Sequence, residues 1–284
     1  MNINTLFSML LVAVVLSDCG TQENKTTTET ALTLPKASDE TEAILKKNFP
    51  GAMKAPEFGD SVLQYLHRKY GIVNGKMLLG VSTCVDDIIY TKNFHMHPEI
   101  KGPFHLGGLA GLPFTGVLGL KAFAHHSPDS GSLLLLIEPH IGYSEKQGWG
   151  YILRHDQHKP SACCGALMET LNGLQAGTLD SVISEEDYQG GKIGELALRH
   201  KKEILSSANP IIELTKVTSR AAEKQIRAHV AEMAVSNLKY IVILTGVLIN
   251  TDYNFSDYQF IDHFMVYDAQ KKIFIEDLHN PMIR

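Results

Sequence analysis

Three cysteines and one histidine stand at the ends of apolar or helical segments in the middle of the chain. Cys84 follows one apolar run, His140 follows another, and Cys163 and Cys164 open a segment with helical periodicity. Two thiolates and one imidazole form a neutral zinc site whose fourth position stays open for water. The intervals between them are far wider than in a zinc finger, which indicates a catalytic zinc. Residue types alone leave Cys163 and Cys164 as alternatives for the third ligand.

The cysteines also allow a simpler interpretation, which is a disulfide between Cys84 and Cys163 in an exported protein. The chain holds four cysteines, and their spacing does not resemble the framework of a small disulfide-rich domain. Cys163 and Cys164 are adjacent and therefore poorly placed to bridge each other. The metal site and the single disulfide both remain open from the cysteines alone.

Two charged residues lie close to these candidate ligands in the sequence. Asp86, two residues after Cys84, could accept a hydrogen bond from a metal-bound water, or it could cap a helix after the strand. Arg154 could hold Asp86 in an ion pair and keep it ionised, or it could be an ordinary surface group.

Two apolar runs of strand length must position the first two ligands. Residues 76–84, KMLLGVSTC, and 131–139, GSLLLLIEP, are typical of strands buried on both faces of an α/β sheet. Cys84 and His140 then lie at carboxyl ends of strands, where open α/β sheets bind their ligands. Residues 149–153 form a short third strand that carries Arg154 at its end.

The remaining pattern alternates between helices and strands. The periodicity predicts a helix capped by Asp60 or Ser61 and closed by Gly71, and another that Ser161 caps and Gly177 closes. The second helix places both vicinal cysteines in its first turn, where the helix dipole favours thiolate. Two helices over 192–235, a strand at 240–249 and a strand pair over 264–274 complete a layered α/β domain.

Composition bounds the function without specifying it. The chain has 284 residues, 44% hydrophobic and 20% charged, which is ordinary for a globular protein. A net charge of -5 and the absence of a basic stripe exclude nucleic acid as an expected partner. The glycine-rich stretch 102–120 lacks the lysine of a phosphate-binding loop and indicates tight packing.

The N-terminal region has the composition of a targeting segment followed by a tether. An apolar core over 6–16 precedes Cys19, as in a bacterial lipoprotein signal, although no positive charge precedes the core and Asp18 stands where a small residue is usual. We therefore expect a signal segment at 1–19, a polar tether at 20–55 and a single zinc-binding catalytic domain at 56–284. Export with a lipid anchor on Cys19 is the expectation, and an unprocessed or differently targeted N-terminus, which includes a cytoplasmic protein, is the alternative.

Several motifs together resemble a known family. They are CVDD at 84–87, FHLGGLAGLPFTG at 104–116, AFAHHSPDSG at 122–131, EPHIGYS at 138–144, GYILR at 150–154 and CCGA at 163–166. The sequence is similar to the limiting-CO2-inducible protein B family, the theta-class carbonic anhydrases. The resemblance implies that Cys84, His140 and Cys164 bind Zn²⁺, and that Asp86 and Arg154 form the pair beside the metal-bound water.

The resemblance carries further expectations about fold and pocket. It implies an α/β/α sandwich around a central mostly parallel sheet, similar to beta-class carbonic anhydrase, and a homodimer. Phe104, Leu109 and Phe114 are expected to wall an apolar pocket for CO2. The sequence departs from the family pattern at Ile89, where asparagine is common, and at Ala110, where glycine is common.

The function that the resemblance implies is reversible hydration of CO2 to bicarbonate and a proton by zinc-bound hydroxide. A non-catalytic zinc protein that binds CO2 or bicarbonate is the alternative, with its fourth position blocked by Asp86 or Cys163. A zinc hydrolase or deaminase is disfavoured, because the His-x-Glu with Cys-x-x-Cys signature of nucleobase deaminases is absent.

Overall fold

A sheet of nine strands organises the computed structural model, which describes residues 37–86, 88–89, 100–180, 182–233 and 237–279. The described residues form eleven strands, of which all but β7 and β8 belong to this sheet: β1 (Met53–Lys54), β2 (Met77–Thr83), β3 (Lys101–His105), β4 (Gly131–Glu138), β5 (His140–Ser144), β6 (Gly148–Trp149), β7 (Tyr151–Ile152), β8 (Ser161–Ala162), β9 (Leu238–Thr251), β10 (Tyr258–Asp268) and β11 (Ile273–His279). The helices are α1 (Asp39–Asn48), α2 (Ala55–Tyr70), α3 (Gly116–His125), α4 (Gly165–Ala176), α5 (Tyr188–Arg199), α6 (Lys201–Ser206) and α7 (Pro210–Glu232).

The strand order through the sheet is β1-β10-β9-β4-β2-β3. The central strands run parallel, since β2 pairs in parallel with both β3 and β4, and β4 with β9. Strand β5 also pairs in parallel with β9, further along that strand than β4 does. Antiparallel strands β10, β11 and β1 extend one side, and β7 and β8 form a separate small hairpin. The predicted α/β class with a central mostly parallel sheet is confirmed.

Helices cover the sheet on both faces, which makes the predicted three-layer sandwich. Side chains alternate along each strand, so that Leu134 faces one side and Leu133 and Leu135 the other. Leu134 packs with Phe58 and other apolar residues of α2, while Leu133 and Leu135 pack in a larger core with α3, α4, α5 and α7. Burial on both faces explains why these strands read as uninterrupted apolar runs.

The structure corrects the predicted tether at 20–55, because the ordered fold begins before residue 56. Helix α1 starts at the N-cap Ser38, whose Oγ accepts a hydrogen bond from the backbone N–H of Thr41 at 3.2 Å. Leu45 and Phe49 are fully buried in the main core. The tether prediction is therefore wrong from Ala37 onwards. Residues 1–36, including the signal-like core and Cys19, lie outside the described residues.

Two predicted helix starts are also corrected. Helix α2 begins at Ala55 rather than beside Asp60, because a proline in its first turn provides a favourable start, and it ends at Gly71 as predicted. Ser161 lies in β8 rather than at a helix cap, and α4 begins at Gly165 with Cys164 as its N-cap. The region 192–235 holds parts of three helices, of which α5 begins at 188.

None of the helices in the described part of the chain has the length and apolar character that a membrane crossing requires.

Candidate metal centre

Two neighbouring parallel strands bring the first two candidate ligands to the same edge of the sheet. The last residues of β2 and β4, Thr83 and Glu138, are register partners. Cys84 follows directly after β2, and His140 follows β4 after Pro139 and opens β5. Because both strands end at the same level, the sequence order alone places these two side chains close together.

Backbone hydrogen bonds hold Cys163, the residue before the third candidate ligand, close to β5. The N–H of Gly142 donates to the carbonyl of Cys163 at 2.8 Å, and the N–H of Cys163 donates to the carbonyl of Gly150 at 2.9 Å. A Cβ atom at Gly142 would lie 2.7 Å from the carbonyl oxygen of Tyr151 and 2.8 Å from the Cβ of Cys163. Glycine therefore allows this approach, and Cys164 follows as the N-cap of α4.

Cys84, His140 and Cys164 form a buried cluster whose ligand atoms all lie within 4.8 Å of one another. Their residues are 7%, 0% and 1% exposed. The two Sγ atoms are 3.7 Å apart, which matches the separation of about 3.8 Å for two thiolates bound at about 2.3 Å to a tetrahedral zinc ion. His140 Nε2 is buried without a hydrogen-bond partner among the described residues. The donor set and its geometry fit a metal ion.

Cys163 lies on the other side of the imidazole. Its Sγ is 3.6 Å from His140 Nδ1 and 3.8 Å from Asn250 Oδ1. The candidate ligand atom of His140 is Nε2, so the geometry brings Cys164 rather than Cys163 into the ligand cluster. The three described cysteines are free thiols, and the alternative disulfide between Cys84 and Cys163 is not formed.

A chain of polar side chains fixes the orientation of His140. Its Nδ1 lies 2.9 Å from Asn250 Oδ1, which can only accept, so Nδ1 carries the proton and Nε2 is left with a lone pair. Asn250 Nδ2 in turn donates to Asp257 Oδ2 at 2.9 Å, and the N–H of Thr251 donates to Asp257 Oδ1 at 2.9 Å. Burial of this carboxylate raises the pKa of Asp257 to about 6, although these hydrogen bonds act to lower it.

Contacts within the cluster shift the pKa values of its three members in different directions. The contact with Cys164, followed by His140, lowers the pKa of Cys84, and the contact with Cys84 together with burial raises the pKa of Cys164. Burial opposes a charge on His140, but its contacts with Cys163, Cys164 and Cys84 outweigh burial and raise its pKa. A divalent cation supplies that positive charge without a proton.

Asp86 and Arg154 form an ion pair at the edge of the cluster. Arg154 Nη2 lies 3.0 Å from Asp86 Oδ1 and 3.3 Å from Oδ2, while Nη1 donates to Ser161 Oγ and to the carbonyl of Ala162. Asp86 Oδ2 is also 3.8 Å from His140 Nε2. The side chains are only 12% and 17% exposed, so the pair is well shielded from solvent. Arg154 is thus not a free surface group, and it joins Asp86 to the hairpin before Cys164.

The predicted pocket residues belong to a glycine-rich segment that lies over the ends of β2 and β4. Ser82 Oγ donates to the carbonyl of Gly111 at 2.9 Å, and a Cβ at Gly111 would meet the carbonyl of Glu138.

The side chains of that segment are partly buried against the core and pack mainly with helices. Phe104 stacks on Phe123 with ring centroids 5.1 Å apart, and Phe114 meets Tyr188 at 6.2 Å. The backbone N–H of Leu109 donates to Gln189 Oε1 at 2.8 Å. A role of Phe104, Leu109 and Phe114 in binding CO2 stays a prediction.

Sequence reasoning missed the polar residues at the end of β9. Asn250 orients His140, and the carboxylate of Asp252 accepts from the N–H groups of Leu153 at 2.7 Å and Glu145 at 3.3 Å. Asp252 thereby connects the end of β5 to the residue before Arg154. The available signal was the appearance of asparagine and aspartate, both buried, at the end of an otherwise apolar run.

Comparison with known proteins identifies relatives of the whole fold. Residues 52–268 match the family described as Limiting CO2-inducible proteins B/C beta carbonic anhydrases. No curated protein matches the chain.

Solved structures cover most of the chain. The crystal structure of PtLCIB4, a homolog of the limiting CO2-inducible protein LCIB, is 25% identical with a TM-score of 0.73, covering 84% of this chain and 99% of that one. A histidine-to-alanine mutant of PtLCIB4 is also 25% identical with a TM-score of 0.75, covering 84% and 98%. LCIB itself is 18% identical with a TM-score of 0.62 over 86% of this chain and 100% of that chain, which shows the shared fold.

Proposed function

Because the chain belongs to the limiting CO2-inducible proteins B/C beta carbonic anhydrases, we propose that it is a zinc-dependent carbonic anhydrase. The reaction is the reversible hydration of CO2 to bicarbonate and a proton. The buried cluster of Cys84, His140 and Cys164 carries the proposal, since its Sγ separation of 3.7 Å and its unpartnered His140 Nε2 suit Zn²⁺ with an open fourth position.

The protein side of the mechanism rests on how the ligands are prepared. Zn²⁺ in such a site supplies Lewis acidity that makes water nucleophilic near neutral pH. Asn250 holds the proton of His140 on Nδ1, so Nε2 presents its lone pair to the cluster. Cys84, Cys164 and His140 would hold the cation, and because both thiols must first lose their protons, loading would depend on pH.

The ion pair beside the cluster orients the reacting water. Arg154 pairs with Asp86 and fixes the direction of its carboxylate, of which Oδ2 lies 3.8 Å from His140 Nε2. From that position Asp86 accepts a hydrogen bond from the attacking water and directs its oxygen lone pair towards CO2. The partly buried Phe104, Leu109 and Phe114 provide apolar surface that excludes competing water.

Stopped-flow measurement of CO2 hydration by the zinc-loaded protein tests the proposal. Cys84→Ser and His140→Ala should lose both bound zinc and the zinc-dependent rate. Cys163→Ser is the matched control for Cys164→Ser, because only Cys164 belongs to the ligand cluster. We expect the control to keep zinc and Cys164→Ser to lose it. A folded, zinc-loaded protein with no zinc-dependent rate from neutral to alkaline pH contradicts the enzyme proposal.

The nearness of Asp86 to the cluster favours one alternative function. A carboxylate 3.8 Å from His140 Nε2 is close enough to compete for the fourth position after a small shift. The protein would then bind zinc and bicarbonate without turnover. Saturable bicarbonate binding by calorimetry, together with an absent hydration rate, would support this alternative, and Asp86→Asn should then restore access to the site.

We also propose that the protein is a homodimer and that Cys19 anchors it to a membrane after export. The dimer follows from the family resemblance, and the anchor follows from the apolar core that precedes Cys19. Light scattering on the purified protein tests the dimer. Incorporation of labelled fatty acid in wild type but not in Cys19→Ser tests the anchor.

A further inference from the structure

A second group of metal-binding side chains lies on β10 and β11, on strands that contribute nothing to the Cys-His-Cys cluster. Asp262, His263 and His279 each offer one ligand atom, and these atoms lie within 4.8 Å of one another. His263 and His279 are register partners on adjacent antiparallel strands, with ring centroids 4.6 Å apart. The pairing of the strands therefore holds the two imidazoles side by side.

A β-bulge brings the aspartate to the same place. Consecutive residues of a regular strand point to opposite faces, which would separate Asp262 from His263. The register between β10 and β9 shifts between Ile261 and His263, so Asp262 is the extra residue of a bulge, a feature that redirects side chains. Gly246 pairs with Ile261 at this point, and a Cβ atom there would collide with the carbonyl oxygen of Phe260. Glycine thus permits the backbone arrangement that places Asp262 beside the histidines.

The separations between the polar atoms are those of ligands that surround one ion. Asp262 Oδ1 lies 3.2 Å from His279 Nδ1, and Asp262 Oδ2 lies 3.8 Å from His263 Nδ1. Helix α7 adds Glu223, whose Oε2 is 3.4 Å from His263 Nδ1 while its Oε1 contacts Arg227. His263 Nδ1 is buried and makes no hydrogen bond among the described residues, although carboxylate oxygens approach it from two sides.

We propose that Asp262, His263 and His279 bind a second divalent transition-metal ion, with the carboxylate of Glu223 beside His263. Two imidazole nitrogens with carboxylate oxygens suit Zn²⁺, Ni²⁺ or Cu²⁺, whereas Mg²⁺ and Ca²⁺ prefer oxygen ligands alone. The ion would connect β11, which pairs only with β10 among the described strands, to the side chains of β10. Its role is to stabilise this side of the sheet, independently of the proposed carbonic anhydrase reaction.

Titration of the purified protein with Co²⁺ distinguishes the two sites by spectroscopy. The Cys-His-Cys site contains thiolates and gives thiolate-to-cobalt charge transfer, whereas the second site contains none and gives only weak ligand-field bands. We expect a second equivalent of Co²⁺ to bind without further charge transfer. His279→Ala should weaken only this equivalent, by more than the about 10–100-fold that loss of an outer-shell partner costs.

Two variants make the titration decisive. His200→Ala is the matched control, because His200 Nδ1 lies 2.8 Å from a single carboxylate, Glu203, and it should leave the second equivalent unchanged. His263→Gln removes the buried ligand and should weaken binding as His279→Ala does, while each folded variant keeps its charge-transfer band. Failure of the wild type to bind a second equivalent overturns the proposal. An equal effect of His279→Ala and His200→Ala, or no effect of either, overturns it as well.

Discussion

Glu138 is a buried carboxyl group whose ionisation should limit the stability of the fold at alkaline pH. It ends β4, is 1% exposed, and its two oxygens accept from the neutral Gln259 Nε2 at 3.1 and 2.9 Å. Burial raises the pKa of Glu138 from 4.5 to about 8, because this hydrogen bond compensates only part of the desolvation. The folded protein therefore keeps Glu138 protonated at neutral pH, whereas the unfolded chain ionises it.

The sign and size of the effect follow from these two pKa values. A raised pKa in the folded state means that stability is lost as pH rises from about 4.5 to about 8. For a single group with those values, the loss is about 1 kcal/mol at pH 5 and about 4 kcal/mol at pH 8. Glu138→Gln is neutral at every pH and keeps a carbonyl acceptor for Gln259. We expect the unfolding free energy of this variant, relative to wild type, to increase by about 3 kcal/mol from pH 5 to pH 8.

Urea unfolding at both pH values, with wild type and variant in the same metal-loaded state, measures this difference. Metal loading also depends on pH, but it affects both proteins and cancels in the comparison. Glu185→Gln, at an exposed loop position, is the control and should follow wild type at both pH values. A stability difference between wild type and Glu138→Gln that stays constant with pH would refute a protonated Glu138 in the folded protein.

Three further outcomes are expected. Asn250→Ala removes the acceptor that keeps the proton of His140 on Nδ1, and it should lower zinc affinity about 10–100-fold in a chelator competition. Unchanged affinity contradicts the orienting role. Arg154→Lys should reduce kcat/KM for CO2 by about 10–100-fold with zinc content unchanged, since one ammonium cannot contact both Asp86 and the hairpin before Cys164; full activity would contradict this. Ala110→Gly should stabilise the fold by about 1 kcal/mol in urea unfolding, because Ala110 has φ 54°; a loss of stability would contradict the strain.

The parts of the fold that were predictable are those whose signal is local. Strands β2 and β4 are apolar on both faces, so their sequences are continuous apolar runs, and Cys84 and His140 come directly after them. The end of α2 at Gly71 was readable because its left-handed backbone favours glycine. These signals were enough to place two ligands of the candidate site at one edge of a parallel sheet.

The parts that were missed depend on residues far away in the sequence. Half of the residues of helix α1 are charged, and Phe49 is buried against Trp149 and Phe260, which are distant in the sequence. Helix α4 starts later than predicted because the backbone of Cys163 is hydrogen-bonded to Gly142 of β5 and to Gly150. No local pattern of residues reveals these bonds. Asn250 likewise becomes a partner of His140 only through the pairing of β5 with β9.

The position of Phe49 has a practical consequence for shortening the chain. The match to the family begins at residue 52, so a truncation made at that boundary would remove Phe49 while keeping the two aromatic rings that sandwich it at 5.5 Å. The resulting hole corresponds to a loss of about 3–5 kcal/mol, the usual effect of deleting a buried aromatic side chain. Trp149 immediately precedes Gly150, whose carbonyl holds Cys163 beside the candidate ligands. A shortened chain for zinc analysis should therefore start at Ala37, so that it keeps helix α1 and Phe49.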